Sequence, residues 1–109
     1  MRKLVDAAPS SSGVLELGRV RIDRHHRNVS CDGDRVHLTL TQFKLLEVLG
    51  TNLGSAVTTD DLYDHCWDAH ARLKRSVVHP HMWRLRGIFE GDLMIESARG
   101  VGYTLRIAT

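Results

Sequence analysis

Apolar residues come first in short alternating runs and then at helical spacing. Leu15, Leu17, Val20 and Ile22 are apolar, with Gly18-Arg19 interrupting, which predicts two short strands around a turn. Asn28-Val29-Ser30 is a third strand candidate. Asp32-Gly33 marks a two-residue turn, because both residue types tolerate the positive φ that hairpin turns demand. Val36 and Leu38 then alternate with polar neighbours and predict a fourth strand.

The period changes at Thr39. Thr39-Leu40-Thr41-Gln42 fits a capping box, in which the Thr hydroxyl and the Gln side chain satisfy amides left unpaired at a helix start. Leu40, Phe43, Leu46 and Leu49, with Leu45 beside them, form a wide apolar stripe that should end near Gly50–Asn52. A second helix is expected after Thr58, with Asp60 and Asp61 in its first turn, where negative charge suits the helix dipole. Leu62/Cys66 and Tyr63/Trp67 are spaced to turn one face inward. Residues 68–75 have no clean period and read as a loop. A third helix is expected from about Ser76 to Phe89, with Val78, Met82, Leu85 and Phe89 on one stripe. Ser76, Pro80, Trp83, Arg84 and Gly87 fall on the opposite face, His79 and Arg86 on one flank, and His81 on the other. Leu93–Ser97 and Tyr103–Ile107 then predict two strands, with Ala98-Arg99-Gly100-Val101-Gly102 as the hairpin tip.

Composition adds bounds to this pattern. A chain of 109 residues suits one domain, with 42% hydrophobic and 26% charged residues. Residues 1–13, with Ala7-Ala8-Pro9-Ser10-Ser11-Ser12-Gly13, read as a flexible arm or linker ahead of a domain over 14–109. The net charge of +2 says little by itself, but its distribution is informative. Between Ala71 and Phe89 the charged residues are Arg72, Lys74, Arg75, Arg84 and Arg86, with no carboxylate. Between Thr58 and His70 they are Asp60, Asp61, Asp64 and Asp68, with no Lys or Arg. A cationic element therefore follows an anionic one.

Cys31 and Cys66 form no C-x-x-C pair, which suits a reduced cytosolic protein, and Cys66 reads as a small core residue. No apolar run reaches the ~20 residues of a membrane span, and no secretory signal follows Met1-Arg2-Lys3. A cytoplasmic location, in association with the nucleoid, is expected, with no membrane partner.

The order of four strands, three helices and a hairpin resembles the OmpR/PhoB-type winged-helix effector domain of bacterial response regulators. Asp32-Gly33, Val36-His37-Leu38-Thr39, Phe43-Lys44-Leu45-Leu46, Asn52-Leu53-Gly54, Val57-Thr58, Leu62 and Trp67 resemble its opening turn, first two helices and the segment between them. His81-Met82-Trp83-Arg84-Leu85-Arg86 resembles the end of its recognition helix, and Arg99-Gly100-Val101-Gly102-Tyr103 its wing signature. The resemblance covers roughly residues 15–107. It implies an α+β winged helix-turn-helix with an N-terminal antiparallel four-stranded sheet and a C-terminal β-hairpin wing. The third helix would enter the major groove of duplex DNA, where an Arg can meet guanine O6 and N7, and the wing would reach the minor groove or backbone.

On this resemblance the DNA-binding residues are Arg75, Ser76, His79, His81, Trp83, Arg84, Arg86, Ser97, Arg99 and Tyr103. Arg84 is the candidate base reader. Ser76 and His79 would reach bases or phosphates. His81 and Arg86 match backbone-contact positions. Arg99 would enter or flank the minor groove, Tyr103 would donate its hydroxyl to a phosphate, and Ser97 would touch a base or sugar. Each has a plainer reading beside it: Arg86 as a charge neutralising the second helix, His81 as filler on the flank of the core stripe, Tyr103 as a core residue, Gly100 and Gly102 as turn residues.

Two positions depart from the family pattern. Pro80 lacks an N–H, so either Ser76 caps the helix and Pro80 falls just past its first turn, or the regular helix begins at Pro80 after an irregular lead-in. Trp83 stands where a basic residue is usual, and an outward Trp would meet a thymine methyl, a sugar or a protein partner. These 109 residues are filled by the effector module and leave no room for the receiver domain that usually precedes it. As a complete chain, the protein would be regulated by abundance, a partner or oligomerisation.

The function expected is a sequence-specific, duplex-DNA-binding transcription regulator, with a homodimer or tandem copies on repeated half-sites. The alternative is a protein-interaction module docking on RNA polymerase, a sigma factor or another transcription factor through Trp83 and the 68–75 loop. An enzyme is not expected. The seven histidines, His25-His26 and His79-x-His81 among them, show no zinc spacing with cysteine, and no nucleophile–base arrangement or phosphate-binding Gly loop appears. No cofactor and no metal are expected.

Overall fold

The computed structural model describes residues 13–108. The reading of the first thirteen residues as a flexible arm thus falls, but for Gly13, outside the described residues. The chain forms two compact units that divide between His37 and Leu38.

The first unit is an antiparallel sheet in sequence order, β1 (Val14–Leu17), β2 (Val20–Asp23), β3 (Asn28–Cys31) and β4 (Asp34–Val36). Ile22 pairs with Leu15 on one side and Val29 on the other, and Val29 pairs in turn with Val36. Paired residues share a face, so one apolar row crosses all four strands, and Ile22 and Val29 within it are buried. Asp32 (φ 55°) and Gly33 (φ 89°) both take positive φ between the directly paired Cys31 and Asp34, which is the geometry the Asp-Gly signal predicts. That two-residue turn also corrects the fourth strand. Pairing must resume at once at Asp34, so β4 is complete at Val36, and Leu38 lies beyond it. In the β2–β3 loop, His26 hydrogen-bonds the Asp23 carboxylate at 2.9 Å and helps hold its pKa below the usual carboxylate range.

The second unit holds α1 (Leu40–Thr51), β5 (Val57–Thr58), α2 (Thr59–Cys66), a 3₁₀ turn (Arg75–Val77), α3 (Val78–Ile88), β6 (Leu93–Ala98) and β7 (Gly102–Ile107). Both arms of the capping box form. The Thr39 hydroxyl accepts from the Gln42 amide at 3.2 Å, and the Gln42 side chain accepts from the Thr39 amide at 3.0 Å. Phe43, Leu45, Leu46 and Leu49 are buried as the stripe predicts, but Leu40 is 50% exposed. Leu40 is the first residue of the helix, where the turn that a later residue would lean on does not yet exist. Helix α1 packs on α2, α3 and β7. Leu62, Tyr63 and Cys66 of α2, the α3 stripe, and Leu93, Ile95 and Leu105 of the hairpin complete the core. Burial pushes the Cys66 thiol up to about 11, so it behaves as a small apolar side chain.

The last three strands form a second antiparallel sheet in the order β5-β7-β6. β5 is absent from the sequence reading, because two residues carry no period. It pairs Val57 with Tyr103 and Thr58 with Gly102. A Cβ on Gly102 would lie 1.9 Å from the Val57 carbonyl oxygen, so this glycine is required by the close approach of β5. Gly100 is the turn residue, at φ 75° in the three-residue tip Arg99–Val101.

Candidate nucleic-acid interface

Helix α3 begins without a side-chain cap. Lys74 is extended, its carbonyl accepts from Val77 N–H at 3.0 Å, and Arg75–Val77 make one 3₁₀ turn that runs directly into the α-helix. Pro80 is then the third residue of the α-helix, where a backbone amide has no intrahelical partner to lose. Neither alternative drawn from the sequence holds as stated. Ser76 lies inside the 3₁₀ turn and does not cap, and the helix is already regular two residues before Pro80.

Val78, Met82, Leu85 and Phe89 are all buried and fix which way α3 faces. Trp83 is consequently 72% exposed, with His79, Pro80, Arg84 and Gly87 exposed on the same side. Arg84 makes no hydrogen bond or ion pair among the described residues. An open cleft of about 660 Å³ separates the start of α3 from the wing, lined by Ser76, His79, Ser97, Arg99 and Tyr103 among others. Ser76, His79, Trp83, Arg84, Ser97 and Arg99 are exposed around it or beside it.

The remaining candidates are engaged by the protein itself. Arg75 turns back to α2, with Nε 2.8 Å from Asp60 Oδ1, Nη2 3.8 Å from Asp64 Oδ1, and its guanidinium 5.0 Å from the centre of the Tyr63 ring. It, rather than Arg86, neutralises the acidic helix. Arg86 donates its Nε to the Ile95 carbonyl at 3.0 Å and so braces α3 on β6. His81 is half-buried, with its ring edge-on to Trp67 at 5.3 Å. Its Nδ1 is buried without a hydrogen-bond partner among the described residues. Burial, then the nearby Arg84 charge, holds its pKa below the ordinary value. Tyr103 is 7% exposed, and its hydroxyl hydrogen-bonds His79 Nδ1. Burial raises its pKa, against the opposing pull of Arg86 and Ser97.

The sequence reading missed the loop anchor. The Tyr63 hydroxyl accepts from the Leu73 amide at 2.9 Å, which with Arg75 ties the 68–74 loop to α2. The acidic run opposite a basic run was the only signal for it. Among the described residues, no helix is long and apolar enough to cross a membrane.

Residues 33–105 match the family described as transcriptional regulatory protein, C terminal. The sensory transduction protein RegX3 of Mycobacterium tuberculosis is 38% identical over 104 residues, covering 92% of this chain and 46% of that protein. The chain therefore spans less than half the length of this relative. Among solved structures, the response regulator DrrB, an OmpR/PhoB homolog of Thermotoga maritima, superposes with a TM-score of 0.76 at 30% identity, over 86% of this chain and 44% of that one. The DNA-binding domain of Klebsiella pneumoniae RstA, crystallised in complex with the RstA box, superposes with a TM-score of 0.72 at 26% identity, over 85% of this chain and 96% of that one. With its sheet, three helices and terminal hairpin, this chain belongs to the C-terminal transcriptional-regulator family of OmpR/PhoB-type winged-helix domains.

Proposed function

We propose that residues 14–109 act as a winged-helix domain that binds duplex DNA sequence-specifically to regulate transcription, with α3 in the major groove and the β6–β7 wing on the minor groove or backbone. The observation that carries this is Arg84, exposed and, among the described residues, without a hydrogen bond or ion pair, on the outer face of a helix whose back is locked by four buried residues. Arg is the side chain best matched to the guanine edge, and a fixed helix presents it without further ordering. Trp83 beside it suits a thymine methyl or a sugar. Ser76 and Ser97 line the cleft toward bases or backbone, and Arg99 at the wing tip suits the minor groove. Arg86, with its terminal nitrogens uncommitted, suits a phosphate. Arg75, held by the α2 carboxylates at the edge of the cleft, and His81, half-buried against Trp67, support the interface.

The same reading has the protein act on the nucleoid in the cytoplasm, without catalysis, as copies on repeated half-sites. The exposed Arg72, Leu73 and Lys74 of the loop ahead of α3 suit a polymerase contact. Selection of bound fragments from random duplex DNA tests the central point. A recurrent motif whose preference relaxes at one position in Arg84→Ala is the expected result, and recovery of no motif by the wild-type chain overturns it.

A further inference from the structure

Tyr103 and His79 raise a question that neither residue answers alone. A phenol hydroxyl in a wing is a natural phosphate donor, yet here it is inside the protein and bonded to the first turn of α3. A hydroxyl has one proton to give. Ser97 stands directly across the strand pair from Tyr103 and lines the same cleft. The partner within reach of the phenol proton is His79 Nδ1. A neutral imidazole that accepts at Nδ1 carries its proton on Nε2. His79 is exposed, its Nε2 makes no hydrogen bond among the described residues, and it lines the cleft between α3 and the wing. Each donor in such a chain polarises the next.

We propose that the Tyr103 phenol donates to His79 Nδ1, a relay that fixes the His79 tautomer and presents its Nε2–H to a phosphodiester oxygen of bound DNA. Tyr103 is thus a positioning residue, and His79 makes the contact. The relay also joins the groove-facing helix to the wing, so both approach the duplex in one orientation. The inference rests on the DNA-binding reading above. It differs in moving the phosphate contact from the wing hydroxyl to the helix imidazole.

Two measurements test it. The first needs no DNA. Long-range ¹H–¹⁵N spectra of the free protein should show His79 protonated at Nε2 and not Nδ1 at neutral pH, and Tyr103→Phe should release the ring to a tautomer mixture. Protonation at Nδ1 in the wild-type chain overturns the relay. The second is a double-mutant cycle on a selected site and an unrelated duplex. His79→Ala and Tyr103→Phe should each weaken binding by about 3- to 10-fold, as expected for one hydrogen bond. The loss should be the same on both duplexes, because a phosphate carries no base information. The double variant should be no weaker than the worse single variant. Losses that multiply, or that appear only on the selected site, overturn the contact. If wild-type protein binds no duplex at all, the DNA reading fails together with the phosphate contact, and the tautomer still decides whether the His79–Tyr103 pair is real.

Discussion

Helices α2 and α3 are neighbours of similar length that treat their polar groups in opposite ways. In α2 the polar groups are settled internally. Thr58 caps the start by accepting from Asp61 N–H at 3.0 Å, Asp60 and Asp61 face the positive end of the dipole, and Arg75 answers Asp60 and Asp64. In α3 no side chain caps the start, the 3₁₀ turn instead giving the Val78 amide the Arg75 carbonyl; no acidic residue sits in the first turn, and Trp83 and Arg84 stand outward, Arg84 without a hydrogen bond or ion pair among the described residues. A large apolar side chain standing outward beside an Arg marks a surface built for contact. The difference separates a helix whose polar groups close on the fold from one that turns them outward.

That contrast can be broken experimentally. The largest effect should come from the back of α3. Phe89→Ala should cost about 3–5 kcal/mol in urea unfolding, since it empties a fully buried site. A loss under about 1 kcal/mol would mean that α3 is not anchored as described. Next comes its front. Arg84→Ala should cost about 1–3 kcal/mol on a selected DNA site and leave the unfolding midpoint almost unchanged, within about 0.5 kcal/mol. Equal losses in both assays would erase the distinction between scaffold and reader. Arg75→Ala should do the reverse on a smaller scale. Its ion pairs are exposed, so the stability loss should lie below about 1 kcal/mol and shrink in high salt. DNA affinity should fall less than in Arg84→Ala.

The smallest effect concerns pH. His81 has its pKa held below the ordinary value of 6.5, by burial first and by Arg84 second. The unfolded chain therefore takes up this proton before the folded one does. The stability associated with neutral His81 is fully present above 6.5 and is lost as pH falls from there through the folded-state pKa. The urea midpoint of wild type should drop more than that of His81→Phe on acidification across this window. Parallel curves would refute the assignment.

Much of this was legible in the order of residues, and the parts that were share a cause. The Thr39 capping box, the Asp32-Gly33 turn and the Val78/Met82/Leu85/Phe89 stripe are local rules, set by neighbours within a few positions. The outward direction of Arg84 follows from the stripe by geometry alone. What could not be read depends on partners distant in sequence. β5 exists because β7 is there to pair with it. Arg75 is drawn to α2 by Asp60 and Asp64, His81 is enclosed by Trp67, and the Tyr103 hydroxyl is taken by a histidine 24 residues earlier. The Pro80 ambiguity was resolved by a 3₁₀ turn, which neither sequence alternative contained.

The contact between Gly102 and Val57 divides the hairpin into parts with different evolutionary freedom. The stem cannot accept even a methyl group there without displacing the strand that leads into α2. The Arg99 and Val101 side chains lie at the solvent end, although the Val101 carbonyl still accepts from the Thr59 amide at 3.2 Å and Gly100 holds a positive φ. Descendants of this sequence can therefore exchange the Arg99 and Val101 side chains while inheriting the scaffold intact.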